Sequence, residues 1–222
     1  MEITYLGHAS FKLKNKNGVV IMDPFATEST GLHWGKQAAD IVTISHAHAD
    51  HSAWQNVSGT AQREKPFVIK EAGEYEVGGI SVFGVESWHD KEEGALRGLN
   101  IIYTVLMDGV NICHLGDLAH PLTDEQVARI GEVDVLMSPV GGKFSLNPKE
   151  AIEVMNRLEP KYFIPMHYRT PAHNENNFGE LEPLNDFLNE YGIAPTPVKK
   201  LEVVKERLPE EMEVVIFEQS NG

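Results

Sequence analysis

Three histidines and an aspartate fall within six residues at His46-Ala47-His48-Ala49-Asp50-His51, directly after the short apolar run Ile41-Ile44. No other feature of the chain limits its fold as strongly. Imidazoles and carboxylates drawn together out of water cost free energy unless they are paired or coordinated. The run Ile41-Ser45 reads as a strand covered on both faces, which supplies a rigid base for a loop of donors. In a tight loop at that strand's end, His46 and His48 can point the same way and share one ion. Asp50 and His51 can then serve a second ion a few ångströms away. Nitrogen and oxygen donors of this kind suit zinc, and also manganese or iron. Cys113 is the only cysteine, which excludes an intrachain disulfide and argues against a cysteine-based metal site.

Two ions need more ligands than this loop holds, and they are expected at strand ends, where side chains project from a rigid scaffold. His89 ends the predicted strand Ile80-Trp88. Asp117 follows Val110-Leu115, and His167 follows Lys161-Met166. The one carboxylate in this set is placed to bridge two ions.

The surrounding pattern reads as mixed α and β. Strands are predicted at Ile3-Leu6, Ser10-Lys14, Val19-Met22, Phe67-Lys70, Glu74-Val77 and Asn100-Met107, with turn signals at Asn17-Gly18 and Asp108-Gly109. Helix and strand then alternate. Thr123 with Gln126 forms a capping box, and Gly131 marks the stop. A strand follows at Val133-Ser138. Asn147, Pro148 and Glu150 start a second helix, whose expected apolar stripe is Ala151, Ile152, Met155 and Leu158. A third helix is expected over Leu181-Tyr191, ending at Gly192, and a closing strand at Val214-Phe217. Thr170-Gly179, rich in Asn, Pro and His, reads as a mobile loop. The expectation is two sheets with helices outside, in one domain over 1–222, because no linker-like stretch divides the chain.

Composition narrows the function. Nineteen basic against 33 acidic residues give a net charge of −14, a surface that repels a phosphate backbone, so no nucleic-acid partner is expected. No apolar run approaches the roughly 20 residues of a membrane helix. Met1-Glu2-Ile3-Thr4 lacks a basic region followed by an apolar one, so no secretory leader and a cytoplasmic address are expected. The expected partner is a small-molecule substrate, and homo-oligomerisation stays open.

The set His46-x-His48-x-Asp50-His51, His89, Asp117 and His167 resembles the five-part signature of the metallo-β-lactamase superfamily. Tyr5-Leu6-Gly7-His8-Ala9-Ser10, Asp23-Pro24-Phe25 and Ile164-Pro165-Met166-His167-Tyr168 narrow the resemblance. They are similar to the branch of small metal-dependent hydrolases that includes L-ascorbate-6-phosphate lactonase and N-acylphosphatidylethanolamine phospholipase D. The resemblance implies an αββα sandwich with metals at one edge of the sheets. It implies His46, His48 and His89 on one ion, Asp50, His51 and His167 on the other, and Asp117 between them. It also places Asp23 behind the first motif, where metal-bound histidines usually donate their second N–H. The other reading of Asp23 is a turn residue before Pro24. His8 either faces the site or is a turn histidine with a local hydrogen bond. The chain lacks an insertion long enough for the nuclease members' extra domain and a flavodoxin-like second domain. An intact His51 also differs from the common electron-transfer pattern.

Two divalent cations make hydroxide available near neutral pH and neutralise charge developing on the attacked oxygen. The expected activity is hydrolysis by a metal-bound hydroxide of an ester, lactone or phosphodiester in a small substrate that carries an anionic group. Asp50 is the expected catalytic residue. Ser45 and Ser52 read as turn residues, since no partner suggests a triad. Gly142, Lys143 and Ser145, in a loop before a helix, are candidates for contacting an anion, either as backbone donors or as an ordinary loop. Lys91, Arg97 and Arg169 are equivalent candidates at this stage. The alternatives are a mononuclear-iron thiol oxygenase and a non-catalytic, metal-stabilised binding module.

Overall fold

Successive side chains of a strand point to opposite faces, and the segment Val19-Val20-Ile21-Met22 uses both. Val20 and Met22 enter one apolar cluster and Ile21 another, with Val19 packed beside it. That alternation is repeated across two sheets. The computed structural model describes residues 1–219. Its first half contains β1 (Glu2–Gly7), β2 (Ser10–Lys14), β3 (Val19–Met22), α1 (Thr27–Thr30), β4 (Gln37–Ala38), β5 (Ile41–Thr43), β6 (Val57–Ser58), β7 (Phe67–Ile69), β8 (Gly73–Val77), β9 (Ile80–Trp88), β10 (Leu99–Met107) and β11 (Val110–His114). Then follow α2 (Asp124–Ile130), β12 (Val135–Pro139), α3 (Pro148–Leu158), β13 (Tyr162–Met166), α4 (Glu175–Phe178), α5 (Leu184–Tyr191), β14 (Leu201–Glu202) and β15 (Glu213–Val214).

One sheet has the order β14-β1-β2-β3-β5-β7, the other β15-β13-β12-β11-β10-β9-β8, and β4 pairs with β6. The central core lies between the two large sheets and joins Ile3, Phe11 and Met22 from the first to Tyr103, Ile112 and Ile164 from the second. On the outer face of the second sheet, Leu136 and Phe163 meet Ile130 of α2, Met155 of α3 and Phe187 of α5. The outer face of the first sheet has a thinner cover. Ile21 and Val42 pack there with Ala39, Ile44, Val57 and Trp34. The layering is helix, sheet, sheet and a thin outer layer about Trp34, Ala39 and Val57. Among the described residues, no helix is long and apolar enough to cross a membrane.

The expected starts and stops of α2 and α3 are present. Thr123 Oγ1 accepts the Gln126 N–H at 3.1 Å, and Gln126 Oε1 accepts the Thr123 N–H at 2.9 Å. Asn147 and Glu150 exchange the same pair of bonds, each at 3.0 Å. Thr123→Ala is expected to cost about 1 kcal/mol in a urea titration, with metal content unchanged, because α2 contributes no donor to the histidine cluster.

Four expectations need correction. Ile41-Ser45 ends as a strand at Thr43, because the Ser45 N–H bonds to the Asp23 carboxylate instead of a neighbouring strand. The buried stripe of α3 is Ala151, Val154, Met155 and Leu158, the i, i+3, i+4, i+7 set, with Ile152 at its margin. The third helix starts at Leu184, since Glu182 precedes Pro183 and a residue before proline is disfavoured in helix. Thr170-Gly179 is a packed segment containing α4, with His173 and Phe178 buried. It is pinned by Asn174 N–H to Thr30 O at 2.7 Å and Asn177 Nδ2 to Ser29 O at 2.9 Å.

Candidate metal centre

The carboxyl ends of β1, β3, β5, β9, β11 and β13 deliver the titratable side chains to one edge of the two sheets. In open α/β sheets, crevices at these strand ends are where ligands bind. The chain reverses sharply there. His8, Asp23 and His167 each follow a strand with positive φ (55°, 45° and 52°), an uncommon conformation for residues with side chains and one that recurs at functional sites.

His46, His48 and His89 form one group of mutually close donors, and His8, Asp50, His51 and His167 a second. Asp117 lies between them. Its carboxylate oxygens stand 3.9 Å from His46 Nε2, 3.3 Å from His51 Nε2, 3.4 Å from His89 Nε2 and 3.2 Å from His167 Nε2. The Nε2 atoms of His46, His51 and His167, with Asp117 Oδ1, are buried and make no hydrogen bond. Unpaired polar atoms of this kind are costly. Donors about 2.0–2.1 Å from a shared tetrahedral ion stand about 3.3–3.4 Å apart, so most of these separations match common coordination. His48 is the exposed member, its ring 4.7 Å from that of His46 and 5.0 Å from that of His89.

Hydrogen bonds behind the cluster aim it. The Ser45 N–H and hydroxyl both donate to Asp23, at 2.7 and 2.5 Å. His46 Nδ1–H therefore donates to Ser45 Oγ at 3.0 Å, leaving its Nε2 lone pair free. His51 Nδ1–H donates to Asp23 at 2.8 Å, which frees its Nε2 in the same way. Asp23 is thus the orienting group and not merely a turn residue, and Ser45 carries its effect to His46. Burial works against the Asp23 charge, but the His51 N–H and the nearby His114 and His46 hold its pKa below the usual range. Asp117 is also buried, and His167 and His51 hold it well below the usual range. Burial alone would neutralise His51, but Asp117 and Asp50 outweigh it and raise its pKa well above that of free imidazole, so a metal bound at Nε2 would displace a proton held there by the two carboxylates. Burial, reinforced by His51, lowers that of His46.

His8 faces the cluster. The Thr170 N–H donates to His173 Nδ1 at 3.0 Å, so the His173 proton lies on Nε2 and points to His8 Nδ1, 3.1 Å away. His8 Nε2–H then donates to Asp50 Oδ2 at 3.0 Å. Burial, with His167 nearby, lowers His8 to about 3, and burial lowers His173 to about 4, so both are neutral and the chain of donors has one direction.

His114 and His120 have their lone pairs committed. His114 Nδ1 accepts the Gly116 N–H at 3.1 Å and Nε2–H donates to Ala9 O at 2.8 Å. His120 Nε2 accepts the Trp88 N–H at 3.0 Å and Nδ1–H donates to Pro121 O at 2.8 Å. Gly116 is required between His114 and Asp117: its φ is +58°, and a Cβ there would meet Asn100 Oδ1 at 2.3 Å.

In the loop holding Gly142, Lys143 and Ser145, the Gly142 and Ser145 backbone donors are used within the loop. The Gly142 N–H bonds to Leu146 O and the Ser145 N–H to Gly142 O, both at 3.0 Å, and Lys143 pairs with Glu180. Ser145 Oγ is buried and unpartnered. The loop's contribution to the cleft is Phe144.

Two groups that sequence reasoning missed are Asn100 and Asp90. Asn100 is fully buried, accepts the Asp117 N–H at 2.9 Å and donates to Leu115 O at 2.9 Å, which sets the Asp117 backbone. A polar residue opening the apolar run Asn100-Met107 was the available signal. Asp90 accepts four backbone N–H groups, from Glu92, Gly94, Leu96 and Arg97, and so folds the loop after His89. Burial works against its charge, yet the donors, that of Arg97 foremost, hold its pKa at about 2.

A family model described as a beta-lactamase superfamily domain matches residues 2–167. A metal-dependent hydrolase of Methanoculleus marisnigri is 34% identical over 200 residues, 79% of this chain and 85% of that one. One of Thermococcus onnurineus is 29% identical over 192 residues, 77% of this chain and 85% of that one. Among solved structures, a chain from Thermotoga maritima described as a zinc-dependent hydrolase of the metallo-beta-lactamase superfamily superposes with a TM-score of 0.77. It is 37% identical and covers 97% of both chains. A metallo hydrolase of Ignicoccus hospitalis shares the fold, with a TM-score of 0.64 at 18% identity over 91% of this chain and 98% of that one.

Proposed function

Since this chain belongs to the beta-lactamase superfamily and is a metal-dependent hydrolase, we propose that residues 1–222 form one cytoplasmic domain that uses two divalent ions, zinc by preference, to hydrolyse an ester, lactone or phosphodiester bond in a small substrate carrying an anionic group. The observation that carries the two-ion reading is the convergence of buried, unpartnered imidazole nitrogens on the two sides of the Asp117 carboxylate. His46, His48 and His89 would hold one ion and Asp50, His51 and His167 the other, with Asp117 between the two groups.

Bound there, the ions supply an acidic water and polarise the oxygen under attack. The protein's own groups do the rest. Asp23 holds His51 directly and His46 through Ser45, so neither ring turns away from the cluster. Asp50 stands half-buried at the mouth, with one oxygen restrained by His8, and accepts the nucleophile's proton. Exposed His48 leaves the entrance open to substrate.

Protein supplied with zinc should carry about two ions per chain by elemental analysis. It should also hydrolyse members of an ester, lactone and phosphodiester panel, and lose that activity with a chelator. Folded protein that binds no divalent ion would overturn the reading. Iron content with oxygen consumption on thiols would replace it with the oxygenase alternative, and metal without turnover with the binding-module alternative.

A further inference from the structure

The chain carries far more acid than base, yet a cavity of about 480 Å³ beside His46 and His48 is lined by two cations, Lys70 and Arg97, and by no carboxylate. Arg97 also lines the smaller cleft of about 170 Å³ that holds His48, Asp50, His89 and Asp117. It therefore stands at the junction of the reaction cleft and the larger cavity. Trp54 and Leu99 add apolar surface to the cavity and are part-exposed at its wall.

The guanidinium is held without being neutralised. Its backbone N–H donates to Asp90 Oδ2 at 2.7 Å, and Asp90 is the residue after His89. Its side chain lies over the Phe144 ring, 4.7 Å from the centroid. Among the described residues neither Arg97 nor Lys70 forms an ion pair. The other cations near the cleft are committed: Lys91 to Glu150, Lys143 to Glu180, and Arg169 to Gly179 O at 3.1 Å. An exposed arginine whose backbone is tied to Asp90, whose guanidinium lies over Phe144 and whose fork of donors is unpaired can receive a carboxylate or phosphate.

Resting on the hydrolase reading above, we propose that Arg97 is the specificity-determining residue and that it binds an oxyanion group of the substrate. The apolar remainder of the substrate lies along Trp54 and Leu99, and the bond to be cut lies over Asp50 and His48. Lys70 adds charge at the far wall of the same cavity.

The test is calorimetric binding to zinc-loaded protein of two non-hydrolysable probes, phenylphosphonate and benzoate, in the wild type, Arg97→Met and Arg97→Lys. Elemental analysis of each variant confirms that its zinc is retained. The dissociation constant for at least one probe is expected to rise about tenfold or more in Arg97→Met. Arg97→Lys, which keeps the charge and loses the fork, should fall between. An effect on phenylphosphonate alone identifies a phosphate-type group, and one on benzoate alone a carboxylate. Equal affinities in all three proteins, or no binding of either probe by the wild type, would overturn the proposal. Turnover separates the two readings. A wild type that cuts neutral esters but binds neither anion keeps the hydrolase assignment and loses this one. A wild type that cuts nothing but binds through Arg97 keeps the anion site and loses the hydrolase mechanism.

Discussion

Asp50→Ala should lower turnover by about 10²–10⁴-fold, the range associated with a positioned general base, while the fold persists. Asp50 sits in a loop at the mouth, outside all three apolar clusters, so its removal leaves no cavity in the core. Its carboxylate is buried enough to be penalised, yet His51 and His8 hold its pKa far below the usual range, which favours the charged form that binds an ion and orients the nucleophile. Removing it also leaves the His8 N–H without its acceptor. The measurements are steady-state turnover on whichever ester of the panel the wild type cuts, circular dichroism for the fold, and elemental analysis for occupancy. Near-normal turnover with both ions in place would contradict the assigned role.

His89→Ala should drop the metal count from about two to about one by emptying the His46 and His48 site. His114→Ala, His120→Ala and His173→Ala should each keep about two. The distinction rests on lone pairs. The other three rings each accept a backbone N–H, from Gly116, Trp88 and Thr170 respectively. Neutral imidazole has one lone pair, so none is left for a metal. His89 makes no such bond among the described residues, and its Nε2 is 3.4 Å from Asp117. Stability should follow a different order from metal count. His114→Ala leaves Ala9 O unpaired in the interior and should cost about 1–3 kcal/mol in denaturant, without loss of an ion. Retention of both ions by His89→Ala, with loss from one of the others, would show that a different histidine completes the site.

Much of the site was legible in the sequence because its donors are displayed by local patterns. His46, His48, Asp50 and His51 lie in one loop, and His89, Asp117 and His167 each follow a β-rich run, so short-range periodicity suffices to nominate them. The caps of α2 and α3 were readable for the same reason: both partners of each box are three residues apart. The αββα expectation came from resemblance, since strand and helix patterns alone do not say how two sheets stack. What only the tertiary structure decided are the choices made by distant partners. His8 meets His173 across 165 positions, and His114 meets Ala9 across 105. Those bonds determine which ring nitrogen carries the proton, and so which lone pairs remain for metal. Asp23 became the orienting group because β3 and β5 run side by side. Thr170-Gly179, polar and turn-rich in sequence, is held by contacts to α1 that no local pattern encodes. Lys91, Arg97 and Arg169 were indistinguishable as residues, and Lys143 stood out only by its place beside Gly142. Only folding showed which charges are already paired, because an ion pair is a property of two positions brought together and not of either one in the chain.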